Sequence, residues 1–98
     1  MTDDVEITDK TSARRYEMRV GGELAGLLDY REDGDGGPVR FVHAEVYPRY
    51  EKQGLGTELV KHALDDVIGD GKRFVPQCPF VAHFVEENPS YAEHVADG

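Results

Sequence analysis

The sequence predicts a mixed α/β (α+β) domain in which an antiparallel β-meander is followed by a helix, a strand and a second helix. Two observations support this prediction. Between residues 14 and 47, apolar and polar residues alternate through three consecutive segments, which is the period of half-buried strands. From Gly54 onward the apolar period becomes 3.6 residues, which is typical of an amphipathic helix packed on a core.

The three strands of the meander are predicted over Arg14–Val20, Glu23–Tyr30 and Val39–Tyr47. Gly21–Gly22 supplies the tight turn of the first hairpin, and the glycine-rich run Arg31–Pro38 forms a solvated loop. Because side chains alternate along a strand, one face of each strand is buried. On the first two strands the residues expected on that face are Tyr16, Met18, Val20, Leu24, Gly26, Leu28 and Tyr30.

The main helix is predicted to start at Gly54 and to stop at Gly69 and Gly71. Its apolar stripe consists of Leu55, Leu59, Val60, Ala63, Leu64, Val67 and Ile68. A short strand over Lys72–Val75 follows. A second helix then begins at Pro79, since proline suits the first helical position. The apolar stripe of the second helix is predicted to be Phe80, Val81, Phe84 and Val85, with an interruption at Asn88–Pro89 and one more turn over Ser90–Val95.

The length of 98 residues predicts a single domain over residues 1–98. Residues 1–10 are acidic and form either a ragged terminus or a brief edge strand. A chain of this size buries about 60–65% of the surface that its unfolded form exposes. That is enough for one core and leaves no room for a separate substrate domain.

The charge is lopsided, with 20 acidic against 11 basic side chains and a net charge of −9. Such a field repels phosphates, so neither nucleic acid nor a membrane surface is an expected partner. The acidity indicates either a salt-rich cytoplasm or ordinary acidic solubility. The chain lacks any stretch near the roughly 20 apolar residues of a membrane helix. It also lacks a secretory pattern at its start and has a single cysteine, Cys78, so we expect a cytoplasmic protein.

The junction Gln53-Gly54-Leu55-Gly56-Thr57 carries most of the functional information, because it leads from a strand into a helix. The first amides of a helix have no internal partners and lie at the positive end of its dipole. Glycines there allow a phosphate to approach the backbone closely, and Lys52 adds a positive charge. The alternative is that the two glycines only shape a tight turn.

Other phosphate-binding loops fit this junction less well. A Walker loop ends in Gly-Lys followed by Ser or Thr, whereas Gly56 is followed by Thr57-Glu58. A Rossmann loop has a third glycine where this chain has Leu59, and the strands that precede the turn are predicted to be antiparallel.

Two motifs resemble the GNAT acetyltransferase superfamily. Gln53-Gly54-Leu55-Gly56 followed by Leu59-Val60 resembles its coenzyme A loop. Cys78-Pro79-Phe80, Phe84-Val85 and Asn88-Pro89-Ser90-Tyr91 resemble one branch, the short N-acetyltransferase-like proteins of about one hundred residues. The resemblance runs from about Tyr16 to Val95 and implies a minimal GNAT-like fold.

The resemblance implies an acetyl-CoA-dependent N-acetyltransferase acting on an unidentified amine, as a monomer or small homo-oligomer. The residues that would bind acetyl-CoA or coenzyme A are Tyr47, Lys52, Gln53, Gly54, Leu55, Gly56 and Thr57. The chain departs from the superfamily in two ways. It has Glu51 where the superfamily usually has Gln or Arg, and it is too short for the usual acceptor-site helices. Two alternatives are therefore a coenzyme A-binding module without turnover and a protein-interaction domain that has kept the fold.

His43 and Glu45 are candidate bases, since acetyl transfer requires a group that removes the amine proton. Their two-residue spacing puts both on one face of the third strand, together with Phe41 and Tyr47. The opposite face, Val42, Ala44 and Val46, is apolar and is expected to meet the main helix. A polar surface without catalytic function is the alternative for both residues.

Cys78 and Tyr91 are candidates for two other roles, accepting the acetyl group and protonating the leaving thiolate. Cys78 precedes the Pro79 helix, whose dipole favours the thiolate, so it is a candidate acetyl acceptor; the alternative is a small buried side chain. The resemblance implies that Tyr91 protonates the leaving thiolate, and the alternative is an aromatic anchor for the chain end. His83 and His94 do not have metal-ligand spacing with Cys78, so no metal is expected.

Overall fold

The computed structural model describes residues 4–32, 34 and 36–96. Its sheet has five strands in the spatial order β1-β2-β3-β4-β5. The strands and helices are β1 Val5–Lys10, β2 Arg15–Val20, β3 Glu23–Glu32, β4 Val39–Val46, α1 Leu55–Gly69, β5 Phe74–Pro76 and α2 Pro79–Glu87. Three short 3₁₀ turns cover Thr11–Ala13, Pro48–Tyr50 and Pro89–His94. The first four strands are antiparallel, and β5 runs parallel to β4.

The predicted fold class is confirmed, with a meander followed by helix, strand and helix. The chain start adds a fourth strand to the meander, since β1 pairs with β2 from Val5 opposite Val20 to Lys10 opposite Arg15. For residues 5–10 the edge-strand alternative is therefore right. Residues 1–3 lie outside the described residues.

The core lies between the sheet and the two helices. The predicted stripe of α1 is confirmed: all of its residues are buried except Ile68, which is half-buried. Aromatic rings fill the centre, with Tyr16, Tyr30, Phe41 and Phe74 linked by ring-centroid distances of 5.5, 6.4 and 6.2 Å. These rings join β2, β3, β4 and β5, and the buried stripe of α1 belongs to the same core cluster.

A bulge in β3 places Leu24 on a different face of the strand from the one predicted. Met18 lies opposite Gly26 and Arg19 opposite Leu24, so Ala25 is the extra residue on β3. Ala25 is fully buried, whereas Leu24 is only half-buried and shares the face of Arg19. The prediction that Leu24 belongs to the core face was wrong, because an extra residue in a strand shifts all that follows it to the other face.

A second bulge, in β4, places Phe41 on a different face of the strand from the one predicted. Tyr30 lies opposite Phe41 and Asp29 opposite His43, so Val42 is the extra residue. Phe41 is therefore fully buried rather than beside His43 as predicted, and Tyr47 also packs against the core. Ala44 and Val46 pack against the core as predicted, whereas Val42 is half-buried at the bulge.

The boundaries of β5 and the apolar stripe of α2 also differ from the prediction. β5 is Phe74–Pro76 rather than Lys72–Val75, because the Lys72 N–H donates to the Val67 carbonyl and so still belongs to the end of α1. On α2, Val81 and Phe84 are buried as predicted, but Phe80 is 42% exposed. Of the helices in the described part of the chain, none combines the length and apolar character that a membrane crossing requires.

Glu17 is a buried acid on the outer face of β2. Arg15 donates to one carboxylate oxygen at 2.9 Å and Arg19 to the other at 3.3 Å. The side chain of Glu17 is only 7% exposed. The Arg15 hydrogen bond holds the pKa of Glu17 below its usual value, although burial acts in the opposite direction.

We expect Glu17→Gln to lower the free energy of unfolding near neutral pH by about 1 kcal/mol, because two guanidinium groups lose their charged acceptor. Since folding lowers the pKa of Glu17, its ionised form stabilises the protein above the usual glutamate pKa of about 4.3. That contribution is lost as the pH falls through the lowered folded value. Urea unfolding of both proteins should show a difference that disappears in acid; a difference that stays constant would contradict the assignment.

Candidate functional site

The candidate site is a cleft that opens where β4 and β5 separate. Their pairing ends at Phe41 opposite Pro76, and the Cys78 N–H then donates to the Phe41 carbonyl at 2.9 Å. Beyond that point the chain turns into α2, while β4 continues to Val46. The second half of β4 is thus left without a neighbouring strand on the β5 side.

A cavity of about 390 Å³ occupies this separation. It extends from the second half of β4 along the first turns of α1, with α2 on the far side. The residues that line it are Ala44, Glu45, Val46, Tyr50, Glu51, Lys52, Gly54, Leu55, Gly56, Thr57, Leu59 and Phe80. Five of the seven predicted cofactor-binding residues are in this set, namely Lys52, Gly54, Leu55, Gly56 and Thr57.

At one end of the cleft, the glycine turn presents the start of α1. Gly54 is the N-cap residue, with φ of 75°, a value at which other residues are strained. The first helical bond is donated by Glu58 to the Gly54 carbonyl, and no side chain caps the helix. The N–H groups of Leu55, Gly56 and Thr57 therefore have no partner within the helix and form an anion-binding geometry at its positive end.

Along its side, the cleft presents the free edge of β4. The Tyr47 N–H donates to the Ala25 carbonyl at 2.9 Å, towards β3. Since successive residues of a strand direct their backbone groups to opposite edges, those of Ala44 and Val46 face the side where β5 has ended. Such an edge can hydrogen-bond an extended ligand that carries amide groups.

The charges at the cleft are mixed. Among the described residues that line it, Lys52 is the cation and Glu45 and Glu51 are the acids. Lys52 adopts φ of 64°, which is uncommon for a residue with a Cβ. Glu51 is the departure noted in the sequence, and its exposure leaves its carboxylate in contact with solvent.

A network that the sequence did not reveal holds the turn in place. The Tyr50 hydroxyl donates to Glu23 at 2.6 Å, and Arg49 pairs with the same carboxylate at 3.0 Å. The Arg49 guanidinium also lies 5.6 Å from the centre of the Tyr50 ring. Glu23 starts β3, so this network ties the segment before the glycine turn to the first hairpin.

Two predicted cofactor-binding residues lie outside the described cleft lining. The Gln53 side-chain amide points back along the chain, towards the Arg49 carbonyl at 3.4 Å. Tyr47 is half-buried and packs against the core.

His43 and Glu45 lie together on β4, as their spacing predicted. His43 Nε2 is 3.9 Å from Glu45 Oε1, and their side chains are 58% and 47% exposed. Glu45 lines the cleft, whereas His43 is not among the lining residues. A carboxylate thus lies beside the free strand edge.

Cys78 is the N-cap residue of α2 and is buried, with 5% exposure and no disulfide. It adjoins the point where β4 and β5 separate but is not among the residues that line the cavity.

Tyr91 contacts α1 at Asp65, further along the helix than the glycine turn, and does not line the cavity. Its hydroxyl donates to Asp65 at 2.7 Å, and its ring centre is 5.1 Å from that of Phe84. Burial and the Asp65 hydrogen bond both raise the pKa of Tyr91. Burial would raise the pKa of Asp65, but hydrogen bonds from Lys61 and Tyr91 outweigh it and lower that pKa. Within residues 4–32, 34 and 36–96, no three acidic, histidine or cysteine side chains are grouped to hold a metal ion.

Sequence comparison identifies the family. A family model of the GCN5-related N-acetyl-transferases matches residues 15–95. The chain belongs to the GCN5-related N-acetyltransferase (GNAT) family. A relative from Gallus gallus, protein NATD1, is 30% identical to this GNAT domain over 95 residues, covering 93% of this chain and 84% of the relative.

Solved structures share the GNAT fold at low sequence identity. A GCN5-like protein from Staphylococcus aureus, determined by NMR, matches with a TM-score of 0.69 and 19% identity over 95% of this chain and 89% of its own. N-acetylglutamate synthase from Neisseria gonorrhoeae, complexed with coenzyme A and N-acetyl-glutamate, matches with a TM-score of 0.59 and 18% identity, over 76% of this chain but 18% of its own. Ribosomal-protein-alanine N-acetyltransferase from Brucella melitensis biovar Abortus 2308 matches with a TM-score of 0.52 and 16% identity, over 86% of this chain and 62% of its own.

Proposed function

We propose that this GNAT domain is an acetyl-CoA-dependent N-acetyltransferase that acts on a small or peptide amine. The observation that carries the proposal is the set of N–H groups of Leu55, Gly56 and Thr57 that lack helical partners, at the end of a cleft bordered by a free strand edge. The family and the coenzyme A complex of the Neisseria neighbour support the choice of cofactor.

The residues of the cleft suit the two chemical parts of coenzyme A. Backbone N–H groups at a helix start, with Lys52 beside them, would hold the diphosphate. The free edge at Ala44 and Val46 would hydrogen-bond the amides of the pantetheine arm. Glu51 opposes the diphosphate electrostatically, which makes affinity weaker than with Gln or Arg at that position.

Acetyl-CoA supplies an acetyl group activated as a thioester. The amine must lose a proton as the new amide bond forms, and Glu45, directly or through water, is the group placed to take it. His43, 3.9 Å from Glu45, is placed to receive the proton or to orient the carboxylate. The net charge of −9 favours a cationic amine as the acceptor.

The departing thiolate must gain a proton, for which Tyr91 is the candidate, and Cys78 is a candidate for a different step. Cys78 lies at the start of α2, where it could accept the acetyl group covalently. Tyr91 requires a movement to reach the cleft, because its hydroxyl is engaged by Asp65. Both roles stay predictions.

The experiment is turnover of acetyl-CoA with a panel of amines in molar KCl, which screens the repulsion within a chain of net charge −9. We expect Glu45→Gln to lower kcat about 100-fold if Glu45 is the base, with little change in acetyl-CoA affinity. Glu86→Gln, the same change at an 81%-exposed position on α2, is the control. Full activity of Glu45→Gln would remove Glu45 from the mechanism, and full activity of Cys78→Ala would remove Cys78.

A second candidate function is a module that binds coenzyme A without turnover. The observation that favours it is that neither Cys78, the candidate acetyl acceptor, nor Tyr91, the candidate acid, lines the cavity, whereas Glu45, the candidate base, does. Binding of acetyl-CoA without transfer to any amine of the panel would select this function. Absence of binding by the folded protein would leave only an interaction domain.

A further inference from the structure

Phe80 behaves differently from the rest of the apolar stripe of α2. It is 42% exposed, whereas Val81 is 0% and Phe84 is 7% exposed. Val81 and Phe84 thus hold α2 in the core, whereas Phe80 lies at the edge of the core. A large aromatic side chain left half in solvent, and lining a cleft, is a feature of binding surfaces.

The ring of Phe80 lies against the bare backbone of Gly56. A Cβ atom built at Gly56 would come within 2.8 Å of Phe80 Cζ and 3.2 Å of Val46 Cγ2. The side chains of Phe80, from α2, and Val46, from β4, thus both lie next to the glycine turn at Gly56. The cleft has a narrow neck at this point, between the free N–H groups of the turn and the free edge of β4.

We propose that Phe80 is a specificity-determining residue that contacts the extended arm of the ligand where the arm leaves the diphosphate-binding turn. The inference rests on the proposed function, since it takes coenzyme A as the ligand. At the neck, the Phe80 ring presents an apolar surface beside the polar N–H groups of the turn, and the methylene groups of an arm that covers it remove that surface from water. A bare phosphate or diphosphate would bind the turn without gaining this contact.

The neck also gives a second reason for glycine at position 56. The φ of Gly56 is not in the left-handed region, so its backbone conformation is open to other residues. Steric exclusion by Phe80 and Val46 therefore restricts this position, in contrast to Gly54, which needs its positive φ and has open space around it. Phe80 and Gly56 act as a pair that sets the width of the neck.

The chain contains no tryptophan, so Phe80→Trp creates a single fluorescent reporter at the neck. His83→Trp, on an exposed position of the same helix, is the matched control. We expect coenzyme A to change the emission of the first variant saturably and to leave the second unchanged. In calorimetry, Phe80→Ala should bind coenzyme A about tenfold more weakly than the parent, while His83→Ala keeps the parental affinity.

Thermal unfolding of each variant shows whether the fold is kept, and Phe80→Leu is the milder substitution if Phe80→Ala does not fold. Loss of binding by a folded Phe80→Trp variant also supports the proposal, because the larger ring then blocks the neck. If folded Phe80→Ala or Phe80→Leu binds coenzyme A with the parental affinity, the proposal for Phe80 is overturned, whatever the fluorescence of Phe80→Trp shows. Failure of the parent itself to bind coenzyme A overturns the proposed function, and this inference with it.

Discussion

Replacing Gly56 with glutamate is expected to weaken binding of acetyl-CoA by about 100-fold or more. The new side chain would enter the space held by Phe80 and Val46, where even a Cβ atom comes within 2.8 Å of the ring. It would also place a negative charge beside the N–H groups proposed to hold the diphosphate. Calorimetric titration of the variant and the parent in molar KCl measures the effect.

Gly69→Glu is the matched control for this experiment. It makes the same change in net charge at the last residue of α1, where a Cβ atom would meet nothing within 4 Å. Its affinity for acetyl-CoA should equal that of the parent. Equal affinity in a folded Gly56→Glu variant would instead show that the ligand lies elsewhere.

Phe41→Ala is expected to lower the free energy of unfolding by about 3–5 kcal/mol. Phe41 is fully buried, and its ring contacts those of Tyr16, Tyr30 and Phe74 at the centre of the core. A domain of this kind is stable by only about 5–15 kcal/mol in total, so the variant should be close to unfolding. Urea denaturation monitored by circular dichroism measures the loss.

Phe80→Ala is the comparison for stability, because it deletes the same side chain from a half-exposed position. Its cost should be no more than about 1 kcal/mol, as little core volume is vacated. Similar losses in the two variants would contradict the placement of Phe41 inside the core and of Phe80 outside it.

The elements predicted correctly from the sequence are those encoded by local signals. The stripe of α1 follows from its 3.6-residue period, and its boundaries follow from Gly54, Gly69 and Gly71. The turn at Gly54 and Gly56 was predicted because glycine placement and a strand-to-helix transition are both local properties. Five of the seven proposed cofactor-binding residues consequently line the cleft.

The two errors in strand faces come from bulges, which the alternation of apolar and polar residues cannot reveal. A bulge adds one residue to a strand and leaves no mark in the pattern of apolar and polar residues. The extra residues Ala25 and Val42 therefore put Leu24 and Phe41 on the faces opposite to those predicted. Only the register with the neighbouring strand determines where the extra residue falls. His43 and Glu45 were nevertheless placed together, since both follow the bulge in β4.

Long-range hydrogen bonds could also not be predicted from the sequence. Four tyrosine hydroxyls donate to carboxylates at 2.6–2.7 Å, in the pairs Tyr16–Asp66, Tyr30–Asp9, Tyr50–Glu23 and Tyr91–Asp65. The partners are at least 21 residues apart in the chain, so no spacing rule applies to them. These pairs give several of the acidic residues specific structural contacts, in addition to their effect on surface charge.

NMR titration of the uniformly ¹⁵N-labelled 98-residue protein tests whether acetyl-CoA binds at the glycine turn. We expect the largest amide shifts on adding acetyl-CoA at Leu55, Gly56 and Thr57, followed by Ala44 and Val46 on the free edge of β4. No shifts in the folded protein, or shifts confined to residues remote from these two segments, would contradict binding at the glycine turn.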